Sequence, residues 1–272
     1  DFVGGCKDLE ARVLRAIGAP EERIEEDRLR MLRAVRFASR FALEIDPATQ
    51  AAIIDRADRL GGVSRERVGQ ELRRMLGDRS RVAAAEWAET LRLDVSILGT
   101  SRLDEGFVRL GSLPTEISWV DGLAAWELDR GTADPEAGAS RLGKALVLSN
   151  RECGDLAALL DIRDQILGRW SEGPLAFRKR LAGRSQFRGA LGLMAIDAPE
   201  VHEAVEAEFK VFEGEGLSPE PLIGGDDLLE AGLVAGPGFR RILDATYDAQ
   251  LEGRVRDRPS ALEYALELGR EA

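Results

Sequence analysis

An aspartate and an arginine three residues apart, Asp27 and Arg30, carry the two kinds of hydrogen-bonding group that match the edge of a nucleobase. Side chains at this spacing share one face of a helix. Cytosine and adenine each present an amino group beside a ring-nitrogen acceptor, which a carboxylate and a guanidinium complement. Guanine and uracil present the opposite polarity, and paired contacts of this kind discriminate by about 1–3 kcal/mol. The pair is therefore suited to accepting C and A and rejecting G and U.

The same spacing is also common in a surface ion pair that contributes only about 0.2–0.5 kcal/mol. Two further arginines, Arg33 and Arg36, follow one and two turns along, where guanidinium groups can hold phosphate oxygens. A row of arginines is, however, usually a solvated helix face. Spacing alone leaves both interpretations open.

The elements that carry these residues are predicted to be helices. From Glu22 to Leu43 the apolar residues recur at helical spacing, so one helix is expected to carry both Asp27 and Arg30. Asp46 before Pro47 predicts the start of the next helix. Because no convincing run of strands and no repeat of fixed period is found, the predicted fold class is all-α.

Three parts are predicted along the chain. Residues 1–80 hold the first helices and the arginine row, residues 81–215 form a helical body, and residues 216–272 form a helical tail. The boundary before the tail lies in a linker at Gly214 to Pro221, which is rich in glycine and proline.

The charge is distributed unevenly along the chain. A net charge of −11 by itself disfavours a nucleic acid partner. Residues 1–80, however, carry 16 Lys and Arg against 15 Asp and Glu, whereas the remainder carries 22 against 34. Within the acidic remainder, one basic cluster is a candidate for RNA contact or, alternatively, a solvated helix face. Its members are Arg178, Lys179, Arg180, Arg184 and Arg188.

The remaining composition favours a cytoplasmic protein. No apolar run is long enough to cross a bilayer, and the first residues lack the pattern of a signal peptide. Cys6 and Cys153 lie far apart and form no metal motif, which fits a reducing compartment. The chain does not begin with methionine, and we expect it to be a fragment of a longer protein.

Four motifs, in this order, resemble the class II nucleotidyltransferases, the family of bacterial-type CCA-adding tRNA nucleotidyltransferases and bacterial poly(A) polymerases. They cover about the first 80 residues and lie at Asp1 to Leu9, Arg15 to Pro20, Glu26 to Phe37 and Ser64 to Leu72. Segments near the end resemble the family too, whereas the middle matches weakly. These later segments are Leu222 to Leu229, Gly236 to Phe239 and Tyr247 to Gly253.

The resemblance implies a role for each matching residue. The first motif acts as a hinge between the catalytic head and the neck of such enzymes, and its matching positions are Asp1, Gly4, Gly5 and Asp8. The third motif is the amino-acid template for the incoming nucleotide and its contacts, and it matches Glu26, Asp27, Arg30, Arg33 and Arg36. Glu66 and Arg67 match a motif that braces the neck, and they are expected to be structural.

The family's catalytic head carries a Gly-Ser loop and paired aspartates that hold two Mg²⁺ ions for in-line attack by the RNA 3′-hydroxyl. No Gly-Ser loop followed by paired aspartates occurs in this sequence. The adjacent acids Asp226 and Asp227 are interpreted as a helix cap, because neighbouring helical residues point apart and acids favour a helix N-terminus. We therefore expect no catalytic residue and no bound metal here, with Mg²⁺ needed only by the full-length parent.

The resemblance implies that the chain selects CTP and ATP and binds tRNA within an enzyme that adds C and A to RNA 3′ ends. One alternative is a poly(A) polymerase, since the template accepts adenine and cytosine alike. Bacterial poly(A) polymerases tend to carry a basic C-terminal extension, whereas this tail is acidic. The other alternative is a non-catalytic helical RNA-binding module. Oligomeric state is not indicated by the sequence.

Overall fold

The computed structural model of the protein describes residues 1–99, 106–131, 135–233, 236 and 238–271. Helices joined by short connections make up the described chain, together with one pair of two-residue strands. This architecture confirms the all-α prediction. The contacts divide the chain into two compact units, one of residues Asp1–Asp164 with Arg188–Pro199, and one of Gln165–Phe187 with the chain from Glu200 onward.

The elements follow one another along the chain with few long connections. The first of them are α1 (Gly5–Glu10), β1 (Val13–Leu14), α2 (Pro20–Glu26), α3 (Arg30–Phe41), β2 (Glu44–Ile45), α4 (Pro47–Asp55), a 3₁₀ helix (Ala57–Gly62), α5 (Arg65–Leu76), α6 (Arg81–Thr90), α7 (Asp94–Leu98), α8 (Val108–Ser112), α9 (Trp119–Asp129) and α10 (Pro135–Leu146). The later elements are α11 (Asn150–Arg169), α12 (Leu175–Ala182), α13 (Phe187–Met194), α14 (Pro199–Glu215), α15 (Gly225–Glu230), α16 (Gly238–Leu251) and α17 (Arg258–Glu271).

The core of the first unit forms where α3 packs against α5 and α6. On α3, Met31, Val35 and Ala38 are buried, as their helical spacing predicts, and on α5, Val68 and Leu72 are buried as well. Each large side chain buried in this way contributes about 1.5–3 kcal/mol relative to exposure. Because these apolar faces meet, the arginines of the two helices occupy the remaining faces.

A short parallel pairing of β1 with β2 joins the chain before α2 to the chain after α3. The Glu44 N–H donates to the Arg12 carbonyl, and the Asp46 N–H donates to the Leu14 carbonyl, each at 2.9 Å. Two-residue strands carry no alternation of polar and apolar residues, so the sequence gives no signal for them. The predicted N-cap is confirmed, since the Asp46 carboxylate accepts from the Thr49 N–H.

The second unit has its own core around α15, α16 and α17, with Leu228, Ala249 and Ala265 among its buried residues. The predicted cap at the start of α15 is confirmed for Asp227, whose carboxylate accepts the Gly224 N–H at 2.6 Å. That hydrogen bond, followed by the contact with Arg258, holds the pKa of Asp227 below its usual value. The two units begin and end at other residues than the predicted three parts. The division at residues 80 and 215 therefore stays a prediction.

Candidate nucleotide-binding site

The helix expected to carry both template residues is interrupted, so the predicted shared helix face of Asp27 and Arg30 is wrong. Helix α2 ends at Glu26, and Asp27 is extended, with φ −150° and ψ 100°. Its Oδ1 atom accepts the Leu29 N–H at 3.2 Å, and α3 then begins at Arg30. An aspartate that bonds the backbone two residues on forms a local turn that competes with helix. The helical spacing of the apolar residues continues across the break, so the sequence pattern predicts one continuous helix here.

Arginines on two later helices, α5 and α3, contact the carboxylate of Asp27. The Nη2 atom of Arg67, on α5, lies 3.2 Å from both carboxylate oxygens of Asp27. The Nη1 atom of Arg33, on α3, lies 3.6 Å from Oδ2. The Asp27 side chain is 25% exposed, so it is partly accessible to solvent.

Arg30 is held by other groups. Its Nη1 atom donates to the Glu26 carboxylate at 2.7 Å and to the Arg23 carbonyl at 2.6 Å. The Arg30 hydrogen bond is the main cause that lowers the pKa of Glu26. Asp27 and Arg30 therefore bind different neighbours, and the paired edge proposed from the sequence is not assembled in this structure.

A buried carboxylate on α5, Glu71, organises the arginines that follow on α3. Its side chain is 2% exposed, and it lies 2.8 Å from Arg36 Nε, 3.8 Å from Arg33 Nε and 3.1 Å from Arg74 Nη1. Arg36 also lies over the Phe37 ring, 4.5 Å from its centroid. Arg36 is thus mostly committed to packing, whereas Arg33 remains about two-fifths exposed. The sequence analysis assigns this role to no residue. A glutamate at a position of α5 where the helical pattern expects an apolar residue is the sequence feature that points to Glu71.

A groove of about 340 Å³ lies beside the start of α3. Arg30 and Arg33 from the predicted site line it, as do two arginines that the sequence did not single out, Arg15 and Arg23. Its apolar surface comes from Leu14, Ile17, Ile24, Ala34, Phe37 and Ile53. Asp27 does not line the groove, but its neighbour Arg33 does. This combination of an apolar wall and several guanidinium groups suits a planar base with an anionic tail.

The four residues that match the hinge motif lie in and before α1. The Asp1 carboxylate accepts the N–H groups of Gly5 at 3.1 Å and Cys6 at 2.8 Å. Gly4 has a φ of +79°, a conformation that favours glycine, whereas Gly5 is helical. Asp8 accepts from Arg15 Nε at 3.0 Å. Arg15 also pairs with Asp46, which ties this segment to the start of α4. The hinge role itself stays a prediction.

The two residues that match the neck motif differ in their contacts. Arg67 contacts Asp27, as described above. Glu66 is exposed in the first turn of α5, where an acidic residue is favoured by the helix dipole. Among the described residues no contact of Glu66 supports a brace, so that part of the assignment remains a prediction.

The basic cluster proposed for RNA contact is extensively paired with acids of the second unit. Arg178 lies 2.7 Å from Glu208, Lys179 lies 2.9 Å from Glu215, and Arg180 Nε lies 2.6 Å from Asp248. Arg184 belongs to the same unit, whereas Arg188 belongs to the first. These ion pairs engage the first three residues with acids, and both alternatives for the cluster, RNA contact and a solvated helix face, stay predictions.

Two features are absent from the described part of the chain. Among the described residues, no three His, Cys, Asp or Glu side chains lie close enough to hold a metal ion. Within the same ranges, no helix is long and apolar enough to cross a membrane.

Comparison with known proteins gives matches along nearly the whole chain. The CCA-adding enzyme of Lacticaseibacillus paracasei is 30% identical over 258 residues, which cover 94% of this chain and 61% of that enzyme. The CCA-adding enzyme of Lactiplantibacillus plantarum is 29% identical over 276 residues, which cover 96% and 64%. The chain therefore spans somewhat less than two thirds of the length of these relatives. A family described as "Probable RNA and SrmB-binding site of polymerase A" matches residues 42–86.

Solved structures share the fold. The Bacillus stearothermophilus CCA-adding enzyme, in complex with CTP, aligns with a TM-score of 0.75 and 23% identity over 98% of this chain and 68% of that one. The Thermotoga maritima CCA-adding enzyme, complexed with tRNA, aligns with a TM-score of 0.68 and 18% identity over 98% and 67%. The relatives and the matching family support membership in the family of CCA-adding enzymes and poly(A) polymerases, and the solved structures share its fold.

Proposed function

We propose that this chain is the nucleotide-selecting and RNA-binding part of a tRNA nucleotidyltransferase that adds C and A to tRNA 3′ ends. The observation that carries the proposal is the groove at the start of α3, in which Arg30 and Arg33 join Arg15 and Arg23 around an apolar wall. The similarity to CCA-adding enzymes over almost the whole chain supports the same reading.

In this proposal the base rests against the apolar wall of the groove, near Ile17 and Phe37. Arginines around the wall hold the phosphates, and Arg30 meets the edge of the base. Asp27, which does not line the groove in this structure, turns toward it when a base binds. The Thermotoga maritima and Bacillus stearothermophilus enzymes, whose structures contain tRNA and CTP, have the fold that such binding would use.

Reading the base requires Arg30 to exchange a partner. Arg30 is paired with Glu26, and both side chains are substantially exposed. Exposed pairs of this kind contribute about 0.2–1 kcal/mol, which is small beside the about 1–3 kcal/mol of a good base contact. A ring-nitrogen acceptor therefore replaces Glu26 at little cost. The break between α2 and α3 allows Arg30 to exchange Glu26 for the base, because Asp27 and Arg30 do not belong to one continuous helix.

Catalysis is assigned to residues outside those described. In the family, paired aspartates of the catalytic head would hold two Mg²⁺ ions, which would supply activation of the RNA hydroxyl and charge stabilisation on the transferred phosphate. We infer that the complete protein supplies them elsewhere and that this chain alone does not transfer nucleotides. This chain contributes nucleotide selection and RNA positioning.

The setting we infer is the cytoplasm. Both cysteines are free thiols, with Cys6 exposed and Cys153 partly buried, as is usual in a reducing compartment. The substrates we propose, CTP, ATP and tRNA, are found there.

A poly(A) polymerase is the second candidate, because the description of the family that matches residues 42–86 names polymerase A. The similarity to CCA-adding enzymes over almost the whole chain favours the first candidate. The complete protein should be assayed with CTP and ATP, each alone and together, on tRNA that lacks its 3′ CCA end. Addition of two C residues followed by one A supports our proposal. Long A tails without C incorporation would establish the polymerase instead. RNA binding without any nucleotide addition would identify a non-catalytic module.

A further inference from the structure

We propose that the outer surface of α3 and α5 binds the phosphate backbone of the RNA strand that leads to the reacting 3′ end. The inference rests on the proposed function, in which RNA is a substrate, and it gives that RNA a contact surface on this chain. We call this surface the arginine face. Its members are Arg33, Arg40, Arg67, Arg74 and Arg79.

The arginines reach one surface because α3 and α5 pack side by side and run in the same direction. Near the start of the two helices, Arg33 of α3 and Arg67 of α5 both contact the carboxylate of Asp27. About one turn further along, Arg36 of α3 lies 2.8 Å from Glu71 of α5. The contacts advance along both helices together, so the two helices are parallel.

Each helix repeats its arginine after seven residues. Arg40 follows Arg33 on α3, and Arg74 follows Arg67 on α5. Seven residues make about two helical turns, so the two members of each pair lie on the same side of their helix, about 10 Å apart. The parallel helices therefore present two rows of arginines with the same spacing.

Arg79 extends the rows beyond the end of α5. It follows Asp78, whose carboxylate accepts the Ser80 N–H at 2.9 Å and the Ser80 hydroxyl at 2.8 Å. Burial raises the pKa of Asp78, but the bonds from Ser80 and then the charges of Arg40 and Arg79 outweigh burial and lower it. Arg40 at the end of α3 and Arg79 after α5 are therefore close enough to act on one carboxylate.

The arginine face is positive because its acids are less exposed than its arginines. The Glu71 side chain is 2% exposed, whereas its partner Arg74 is 55% exposed. The Asp27 side chain is 25% exposed, whereas its partner Arg67 is 48% exposed. Each pair thus presents mainly its cation to solvent. In a chain whose net charge is −11, this positive surface is a local feature, and it attracts anions.

An RNA backbone fits the arginine face better than an acidic protein does. A guanidinium can bind two phosphate oxygens through parallel hydrogen bonds. At one end of the face, Arg33 also lines the groove proposed for the incoming nucleotide. The RNA 3′ end must reach that groove to react, so the phosphates that precede it can follow the rows from Arg33 towards Arg40. An acidic protein has no comparable reason to begin at the groove.

The test measures the affinity of the complete protein for tRNA lacking its 3′ CCA end, as a function of salt concentration. Each lost phosphate contact should lower the slope of log affinity against log salt by about 0.7–0.9. We expect this change for Arg40→Gln and for Arg79→Gln, together with about three- to tenfold weaker binding. Arg40→Lys should restore most of the slope, because lysine holds phosphate as a point charge.

Arg59→Gln is the matched control. Arg59 is 46% exposed and pairs with Glu25, outside the arginine face. This variant should keep the wild-type affinity and salt slope. Wild-type binding by both Arg40→Gln and Arg79→Gln would overturn the proposal and would leave an acidic protein as the partner of this face. An equal loss in Arg59→Gln would also overturn it, because the effect would then not belong to the arginine face.

A second measurement tests whether the contact lies near the RNA 3′ end. Neutral methylphosphonate linkages among the 3′-terminal nucleotides should weaken binding to the wild type. They should add little to the loss in Arg40→Gln, since both changes remove the same contact. Fully additive losses would overturn the proposal. The proposed function fails separately: if Asp27→Ala keeps the wild-type nucleotide preference while Arg40→Gln loses tRNA affinity, the template assignment fails and the arginine face stands.

Discussion

The Nε atom of Arg36 lies 2.8 Å from Oε2 of Glu71, a carboxylate whose side chain is only 2% exposed. Arg33 and Arg74 approach the same carboxylate from α3 and from α5 itself. A charge buried to this degree requires such partners, because isolated burial of an ion is very costly. Glu71 therefore helps to position Arg33 and Arg36 of α3.

Glu71→Gln should lower the free energy of unfolding by about 1–3 kcal/mol, less than the full cost of breaking a buried pair, because two of its arginines are partly exposed. The loss should appear in chemical denaturation followed by circular dichroism. Glu66→Gln, on the exposed face of the same helix, should change stability by less than about 0.5 kcal/mol. Equal effects of the two substitutions would contradict the anchoring role of Glu71.

A second carboxylate makes stability depend on pH. Arg73 donates to Glu152 at 2.9 and 2.8 Å, and this contact is the main cause that lowers the pKa of Glu152 to about 2. A lowered pKa contributes stability that is fully present above the unfolded value of 4.5 and is lost as pH falls towards 2. Because solvent screens this partly exposed pair, we expect a contribution of only about 1–2 kcal/mol.

The measurement is the free energy of unfolding between pH 6 and pH 3, for the wild type and for Glu152→Gln. The variant should be less stable at pH 6 and should lose less stability on acidification. Glu86→Gln, at an exposed position of α6, serves as the control and should follow the wild-type curve. A Glu152→Gln curve parallel to the wild type would show that the Arg73 contact carries no pH dependence.

Much of the fold could be predicted because it depends on local signals. Asp46 before Pro47 predicted the start of α4, and Asp227 at the start of α15 was correctly interpreted as a cap. The buried face of α3 followed from the helical spacing of Met31, Val35 and Ala38. Each of these features involves residues within a few positions of one another, where periodicity and capping rules apply.

The geometry of the site was predicted less well because it depends on distant contacts. The break after Glu26 needs only the local bond from Asp27 to Leu29, yet the apolar pattern runs on without interruption. The contact of Asp27 with Arg67 spans 40 positions, and no spacing rule reveals it. The ion pairs of Arg178 with Glu208 and of its neighbours could not be predicted from sequence spacing either. Sequence identified the residue types, whereas their partners required the fold.

Arg30 provides a direct test of the proposed template. Arg30→Ala in the complete protein should lower kcat/KM for CTP and ATP alike, by about 10- to 100-fold, since both bases would lose the same donor. Arg28→Ala, two positions earlier, is the control, because within the described part of the chain Arg28 pairs with the surface acid Glu25, at 3.7 Å, and not with a template residue. Kinetics with each nucleotide alone give the comparison. Unchanged values for Arg30→Ala would remove Arg30 from the template.

The central claim is that the Asp27 carboxylate selects the base. The most direct measurement is single-nucleotide incorporation of CTP, ATP, GTP and UTP by the wild-type protein and by Asp27→Ala, on the same tRNA lacking its 3′ end. The account predicts that the variant still adds nucleotides but loses at least about tenfold of its preference for C and A, as expected for one lost base contact. A variant that adds nucleotides with wild-type selectivity would contradict it.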